Sequence, residues 1–313
     1  MTYNPNAYSA KKQKKAETNS PENLLDPAKV EWVQVAPNKT VVATAEKTYL
    51  IDLNTNKCST LREFLRDRPT NLIEGTNNIA TTRKLLDGAI AAAKYAVNSD
   101  IRPPALTATR WIYRLAGAYH LCRLTPDLMD EASAGFYLNG CYSLSEWAVQ
   151  KSIEEEGHDR LALRDIQSMG YNAELVVKIL VPPAAKVLMD YFTRSVRDVD
   201  PVDCVGYSYT MERLALGVDE KYIQKVENLL PPGVNATRCL RVHSSVGADV
   251  EHAEETVEMV AELTVKERTR IARACYETAL MCFSPPTEGY ISDKEIQQIL
   301  EPLKNTDLSA GKS

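Results

Sequence analysis

The sequence predicts a mostly α-helical protein with a small β-like segment near its N-terminus. From about residue 70 onward, apolar residues recur at helical spacing, as at Leu85, Leu86, Ile90 and Ala93. Proline and glycine residues interrupt these runs, and Ser or Thr followed three positions later by Glu marks several helix starts. Helices separated in this way are expected to bury their apolar stripes against one another in a bundle.

The composition favours one soluble domain with a small appendage. The chain has 313 residues and a net charge of −5, which gives no positive field to attract nucleic acid or a membrane surface. No apolar stretch reaches the ~18 residues of a membrane span, and the first 20 residues lack the apolar core of a signal peptide. Seven cysteines without a CxxC pair are typical of reduced thiols. We therefore expect a cytoplasmic protein.

Three segments are expected along the chain. Residues 1–28 are polar and contain three prolines, which predicts a disordered tail. Residues 29–68 contain β-branched and aromatic runs separated by turn residues, which predicts a β-hairpin-like or three-stranded segment packed on the core. Residues 69–305 are expected to form the helical domain.

Local signals place the helices of the second half of the chain. A capping box at Ser143–Glu146 predicts the start of a helix that runs to about Met169, and further helices are predicted near 184–196 and 205–216. Asp219 is expected to cap a short helix, and Asn235 a helix near 236–263. The capping box Thr264–Glu267 predicts a helix at 265–283, and Ser292 is expected to cap the last helix.

Acidic residues stand three positions before a histidine in two of these predicted helices. Glu155 precedes His158, and Asp249 precedes His252. Three residues turn a helix by about 300°, so the members of each pair share one face. Glu154 competes with Glu155, since it lies four positions before the same histidine. The alternative for both pairs is a solvated acidic face.

A third acid, Glu212, stands in a predicted helix whose neighbours are mostly apolar or aromatic. A buried carboxylate is costly unless a metal or a cationic side chain offsets its charge. Helix bundles turn such acids and acid–His pairs inward to build di-iron sites. Carboxylate and imidazole ligands together suit Fe(II), Mn(II) or Zn(II). The pattern therefore predicts a metal centre inside the bundle.

These motifs resemble the ligand helices of the haem-oxygenase-like di-iron oxidases and oxygenases. This family is also called the iron-containing redox enzymes and includes CADD-like and UndA-like proteins. Residues 155–170 are similar to the first ligand helix, residues 206–215 to the second, and residues 249–253 to the third. The resemblance covers about residues 130–285, and it implies a haem-oxygenase-like helical bundle.

The resemblance also implies a ligand set. Glu155 and His158 would bind one iron, Glu212 would bridge or bind, and Asp249 with His252 would hold the other iron. These five residues would then form the catalytic group. A fully loaded chain would hold two Fe(II) ions and use molecular oxygen as co-substrate.

One position departs from the family pattern. Many members carry a histidine four residues before the Asp, where this chain has Ser245. His243 lies six residues before Asp249 and, on a regular helix, would point about 120° away from it. Local unwinding near Gly247 would allow His243 to reach the metal, so it is kept as a sixth candidate ligand. Without it, the second iron would be held weakly.

The reaction class that the resemblance implies is oxidation of a small amino-acid-like or other carboxylate substrate in a biosynthetic pathway. N-oxygenation, desaturation and C–C cleavage are all open, and a homodimer is expected on the same ground. A carboxylate substrate needs a cation near the irons. Arg160, Arg164 and Arg213 are candidates because they lie close to the predicted ligands in sequence.

Two other classes of function stay open. A haem-binding protein or haem oxygenase would need a proximal histidine early in the helical domain, and His120 is the histidine upstream of the three motifs. In a non-enzymatic helical interaction protein, the acid–His pairs would be surface charge.

Overall fold

The computed structural model describes residues 30–61, 77–97, 101–246 and 249–305, without the side chains of residues 77–78 and 249–252. The predicted tail at 1–28 and residues 62–68 of the predicted β segment lie outside the described residues. The described elements are β1 (Glu31–Ala36), β2 (Lys39–Ala43), β3 (Thr48–Asp52), β4 (Lys57–Leu61), α1 (Asn77–Ala96), α2 (Ala108–Leu138), α3 (Tyr142–Glu155), α4 (His158–Ser168), α5 (Ala173–Ile179), α6 (Pro183–Val196), α7 (Asp203–Ala215), α8 (Glu220–Glu227), α9 (Arg238–Val242), α10 (Asp249–Ala261), α11 (Val265–Phe283) and α12 (Asp293–Leu300). The mostly helical class with a small N-terminal β segment is confirmed.

The four strands form one antiparallel sheet in the order β1-β2-β3-β4. Val33 pairs with Val41, and Val41 pairs with Leu50, so these apolar side chains share one face of the sheet. That face packs against α1, while β1 also contacts α11. The strand β4 was not expected from the sequence, because its residues are mostly polar and exposed.

The longest helix, α2, contains a proline in its interior. Pro126 has no N–H to donate, so the carbonyl of Cys122, four residues earlier, loses its bond in the helix ladder. One residue before the proline, Thr125 donates its hydroxyl hydrogen to the carbonyl of Leu121 at 2.9 Å. The irregular turn therefore falls at the residues that face the cavity described below.

Several predicted helix starts are confirmed. The capping boxes at Thr264 and Ser292 are both formed, and the side chain of Asp219 accepts from the N–H of Tyr222. Pro183 is the first residue of α6, as the Pro182-Pro183 pair indicates.

Two predicted helix starts are wrong. The third helix begins at Tyr142 behind Cys141, so Ser143 lies inside the helix and does not cap it. The helix expected from Asn235 begins at Arg238 behind Thr237.

Two long predicted helices are each divided. The helix expected to run to Met169 ends at Glu155, and a separate helix begins at His158. The helix expected over 236–263 consists of α9 and α10, with a break after Val242. None of the described helices combines the length and apolarity that a membrane span requires.

Within the described ranges, the buried apolar side chains form two clusters. One joins the sheet to α1, α6, α7 and α11. The other joins the first half of α2 to α4, α5, α9 and α12. Because α2 and its neighbours take part in both clusters, the boundary between them runs along the middle of that helix.

The close packing of α7 on α11 gives a test of the fold. A Cβ at Gly206 would lie 2.7 Å from Cβ of Ala274 and would collide with the carbonyl oxygen of Ile271. We expect Gly206→Ala to lower the free energy of unfolding by about 1–3 kcal/mol, because overpacking displaces the backbone. Chemical denaturation measures this. Gly117→Ala is the matched helical control, since its Cβ would meet Pro182 at an ordinary 3.5 Å; equal losses in both variants would contradict the described packing.

Candidate metal centre

The corner between α3 and α4 brings the first acid–His pair together. Glu155 is the last residue of α3 and His158 is the first residue of α4. Between them, Gly157 has a φ of +83°, a left-handed conformation that glycine adopts without steric cost. Nδ1 of His158 lies 3.0 Å from Oε2 of Glu155. The two residues thus meet across a turn, and not along one helix face as the spacing predicted.

His243 approaches this pair from α9. It is the residue at which α9 ends, so the regular-helix geometry that would direct it away does not apply. Its Nε2 lies 4.0 Å from Oε2 of Glu155. Its ring meets that of His158 edge to face, with centroids 4.7 Å apart. The local unwinding that the sequence allows is therefore present at residues 243–246, which follow α9 as turns and a bend.

Asp165 of α4 fixes the position of α9. Its Oδ2 accepts from the backbone N–H of Cys239 at 3.0 Å, and its Oδ1 accepts from Nη1 of Arg238 at 3.0 Å. Burial raises the pKa of Asp165, although these donors oppose the change. The cap residue Thr237 makes no side-chain cap bond, so a carboxylate from another helix satisfies the first turn of α9.

Glu155 is ionised at neutral pH in this environment. Burial alone would raise the pKa of its carboxyl group. The hydrogen bond with His158, together with the positive charges of His243, His158 and Lys151, outweighs burial and lowers the pKa below its ordinary value. A carboxylate that stays ionised when partly buried is suited to bind a cation.

A lysine pairs with the predicted ligand Glu212. The side chain of Lys151 is 3% exposed, and its Nζ lies 3.0 Å from Oε1 of Glu212 and 2.9 Å from Oε2 of Glu154. Burial lowers the pKa of Lys151, but the two carboxylates outweigh burial and raise the pKa above its ordinary value. The ammonium group is therefore the cationic partner that a buried Glu212 requires.

The contact with Lys151 also shows which of the two competing glutamates of α3, Glu154 or Glu155, faces the histidines. Glu154 binds Lys151 and Gln150, whereas Glu155 faces the two histidines.

A cavity of about 380 Å³ adjoins these residues. It lies where the two apolar clusters meet, so its wall includes Leu115 from one and Phe192 from the other. Apolar side chains from α2, α6, α7 and α9 form most of the wall. Its polar residues include Arg114, Lys151, Glu155, Glu212 and His243. The volume suits a small organic molecule.

Two cysteines stand beside His243 at the cavity wall. Sγ of Cys122 lies 3.7 Å from Nε2 of His243, and the Sγ atoms of Cys122 and Cys239 lie within 4.8 Å of each other. The neighbouring thiol raises the pKa of Cys122 and lowers the pKa of Cys239, in the second case against the effect of burial. The sequence predicts reduced thiols, and a buried apolar role for Cys239, but it does not predict either cysteine as a site residue.

The remaining predicted site residues divide as follows. Asp249 and His252 belong to the first turn of α10, and their side chains lie outside the described residues. Arg213 pairs with Asp87 at 2.7 Å, away from the cavity wall. The side chains of Arg160 and Arg164 are exposed to solvent.

The histidine of the haem alternative has a different partner. Nε2 of His120 donates to the carbonyl oxygen of Leu180 at 3.0 Å, and its ring lies edge to face with Tyr119. These contacts account for the position of His120 in the helix.

Sequence reasoning missed Lys151 and Arg114 as parts of the site. A signal for the lysine was present, because Leu144, Trp147 and Ala148 stand at helical spacing on the buried face of α3 that also carries Lys151. No comparable signal exists for Arg114, since its place in the cavity wall depends on the packing of distant helices.

Comparisons with known proteins give one structural match. No family model matches the chain, and a search of curated proteins finds no match. A solved structure from Shewanella denitrificans OS217, described as a domain of unknown function with a haem oxygenase-like fold, is 21% identical. The match covers 74% of this chain and 93% of that one, with a TM-score of 0.47.

The buried ion pair predicts a large effect of Lys151 on stability. We expect Lys151→Met to lower the free energy of unfolding by about 3–5 kcal/mol, because Glu212 would lose the ammonium that offsets its charge. The double variant Lys151→Met/Glu212→Leu should recover part of that loss. Denaturant titration of metal-free protein measures both.

The control for this prediction is Lys186→Met. Lys186 forms an exposed pair with Asp190 at 3.1 Å, with both side chains more than half exposed. Its removal should change stability by less than about 1 kcal/mol. If Lys151→Met proved as stable as Lys186→Met, the proposed compensation of Glu212 would be wrong.

Proposed function

We propose that this chain is a non-haem iron-dependent oxidoreductase that uses molecular oxygen. The observation that carries the proposal is the convergence of Glu155, His158 and His243, of which Glu155 and His243 lie in the wall of a largely apolar cavity. Two imidazoles and one carboxylate, with the other coordination positions left open, are the donor set of non-haem Fe(II) oxygenases.

The spacing of the donor atoms fits one metal ion. Their ligand atoms all lie within 4.8 Å of one another. With metal–ligand bonds of about 2.1 Å, adjacent ligand atoms of an octahedral site are about 3.0 Å apart and opposite ones about 4.2 Å apart. The 3.0 Å and 4.0 Å distances from Oε2 of Glu155 to the two histidines fall within that range. A ferrous ion held by these residues would supply the electrons for reduction of oxygen.

The chain's own residues bind the cation and shape the reaction space. Glu155 contributes the negative charge, and the two imidazoles, which release their protons when a metal binds, complete the donor set. Tyr207 stacks on Phe192 with ring centroids 4.3 Å apart and closes one side of the cavity. Burial raises the pKa of Tyr207, so its phenol keeps its proton. Such a wall keeps water away from reactive oxygen species.

The second iron of the resemblance has less support. Glu212, expected to bridge two irons, has its charge offset by Lys151. The proposal therefore rests on one iron at Glu155, His158 and His243. A second ion at Asp249 and His252 stays a prediction.

Arg114 is proposed to bind the carboxylate of the substrate. It lies in the cavity wall, donates to the phenol oxygen of Tyr222 at 3.1 Å, and forms no salt bridge with a residue that the structure describes. Lys151 is less suited, because two carboxylates already bind it. The apolar wall then suits a hydrocarbon side chain of the substrate.

The iron proposal is tested by anaerobic Fe(II) titration of metal-free protein, followed by exposure to oxygen. Wild type should bind about one iron per chain and consume oxygen. Glu155→Gln and His158→Gln should bind iron at least about tenfold more weakly, because each loses a ligand. Glu156→Gln is the matched control, since Glu156 is exposed next to the site. Absence of specific uptake in wild type would reject the proposal.

The same titration decides the number of irons. Uptake of two ions per chain, with one lost in His252→Ala, would establish the second site that the resemblance implies. Uptake of one ion, unchanged in His252→Ala, would restrict the centre to the three converging residues.

The role of Arg114 is tested with octanoate and 1-octanol as probes, using calorimetric titration. Arg114→Gln should weaken octanoate binding about tenfold or more and leave octanol binding unchanged, because only the acid loses a charged hydrogen-bond partner. Arg123→Gln, on the same helix but paired with Asp127 outside the cavity, is the control. Equal octanoate binding by wild type and Arg114→Gln would contradict this assignment.

A further inference from the structure

A second set of metal-binding atoms lies beside the three proposed iron ligands. Sγ of Cys122, Sγ of Cys239 and a ring nitrogen of His243 all lie within 4.8 Å of one another. The three residues come from the middle of α2, the first turn of α9 and the end of α9. Two thiols and an imidazole form a softer donor set than the two imidazoles and one carboxylate of the neighbouring group.

The spacing of these atoms agrees with tetrahedral zinc. Bonds of about 2.3 Å to sulfur and about 2.05 Å to nitrogen place adjacent sulfur and nitrogen ligands about 3.6 Å apart. Sγ of Cys122 lies 3.7 Å from Nε2 of His243. The Sγ atoms of Cys122 and Cys239 lie within 4.8 Å of each other, so the S–S separation of about 3.8 Å at a tetrahedral zinc requires little movement.

Two further features favour a metal here. The backbone N–H of Cys239 is held by the buried carboxylate of Asp165 at 3.0 Å, which fixes the residue before any metal binds. All three donor residues line the cavity, which gives an ion a path from solvent and leaves a fourth coordination position open.

We propose that Cys122, Cys239 and His243 form a binding site for Zn²⁺. Binding releases the two thiol protons and involves no change of oxidation state. Zinc is favoured over ferrous iron at a thiolate site by both ligand softness and intrinsic affinity.

The two metal sites exclude one another, a consequence that rests on the proposed function. Nε2 of His243 is the atom that lies 3.7 Å from Cys122 and 4.0 Å from Glu155. One nitrogen lone pair binds one metal ion, so zinc on the sulfur side withdraws a ligand from iron. Zinc is then an inhibitor that acts through His243.

Co²⁺ is the optical probe for this site, used with the full-length protein kept reduced by a phosphine. Wild type should show thiolate-to-cobalt charge-transfer absorption and tetrahedral d–d bands at one equivalent, and Zn²⁺ should abolish both. Cys122→Ser and Cys239→Ser should lose the charge-transfer absorption or bind at least about tenfold more weakly. Cys282→Ser is the matched control, because Cys282 is a part-buried thiol that contacts Met211 and not His243.

The variant His158→Gln separates the two proposals. It should lose Fe(II) binding and keep the cobalt–thiolate absorption, since His158 is not a member of the sulfur cluster. In wild type, saturating Zn²⁺ should reduce Fe(II) uptake about tenfold or more, whereas Cys122→Ser should take up Fe(II) regardless of zinc. If wild type binds no iron even without zinc, the iron proposal fails while the cobalt result still decides the zinc site.

Two results would overturn the zinc site. One is the absence of charge-transfer absorption in wild-type protein that is fully reduced, as shown by titration of all seven cysteines as free thiols after denaturation. The other is unchanged absorption in both Cys122→Ser and Cys239→Ser, with the helical circular dichroism of both variants equal to that of wild type.

Discussion

The site depends on the turn at Gly157. Its positive φ ends α3 at Glu155 and starts α4 at His158, so the first two donors face each other across a corner. The direction of α4 then determines where Asp165 lies, and Asp165 holds the first turn of α9. At the far end of that short helix stands His243. A single left-handed residue thus sets the relative positions of the carboxylate and both imidazoles.

Charge compensation is the second constraint on this site. A buried carboxylate such as Glu212 must be offset, and a metal ion or a protein cation can each do so. In this chain Lys151 is that cation, at 3.0 Å. The burial of Glu212 is therefore no evidence for an iron next to it. Glu155 instead faces two histidines, whose ring nitrogens are metal ligands in chemical type. This difference is why the proposal places its iron at Glu155.

The sequence predicts the helical class because that information is local. Periodic apolar residues and capping boxes such as the one at Thr264 act over one or two turns of chain. The same signals fail where a distant group takes over. The start of α9 is satisfied by Asp165, some 70 positions earlier, so Asn235 did not have to cap it. The residues around Ser143 satisfy the capping pattern, yet the helix starts earlier, at Tyr142, behind a cysteine that makes no side-chain cap bond.

The candidate site shows the same division between local and non-local information. The pairing of Glu155 with His158 follows from short spacing, and it survives although the helix that was expected to produce it is broken. His243 could be kept as a candidate because Gly and Ser residues nearby favour unwinding. The roles of Lys151 and Arg114 depend on which helices surround the cavity. No short stretch of the sequence shows which helices these are.

His243 joins two kinds of chemistry at one nitrogen atom. On one side its Nε2 faces a carboxylate and a second imidazole, a donor set suited to an ion that reacts with oxygen. On the other side it faces two thiols, a donor set that holds a redox-inert ion more tightly. Affinity alone would favour zinc, so iron loading at this nitrogen requires that both thiols keep their protons. Because Cys122, Cys239 and His243 hold their ligand atoms within 4.8 Å of one another, the protonation of the two thiols bears directly on which metal the neighbouring carboxylate receives.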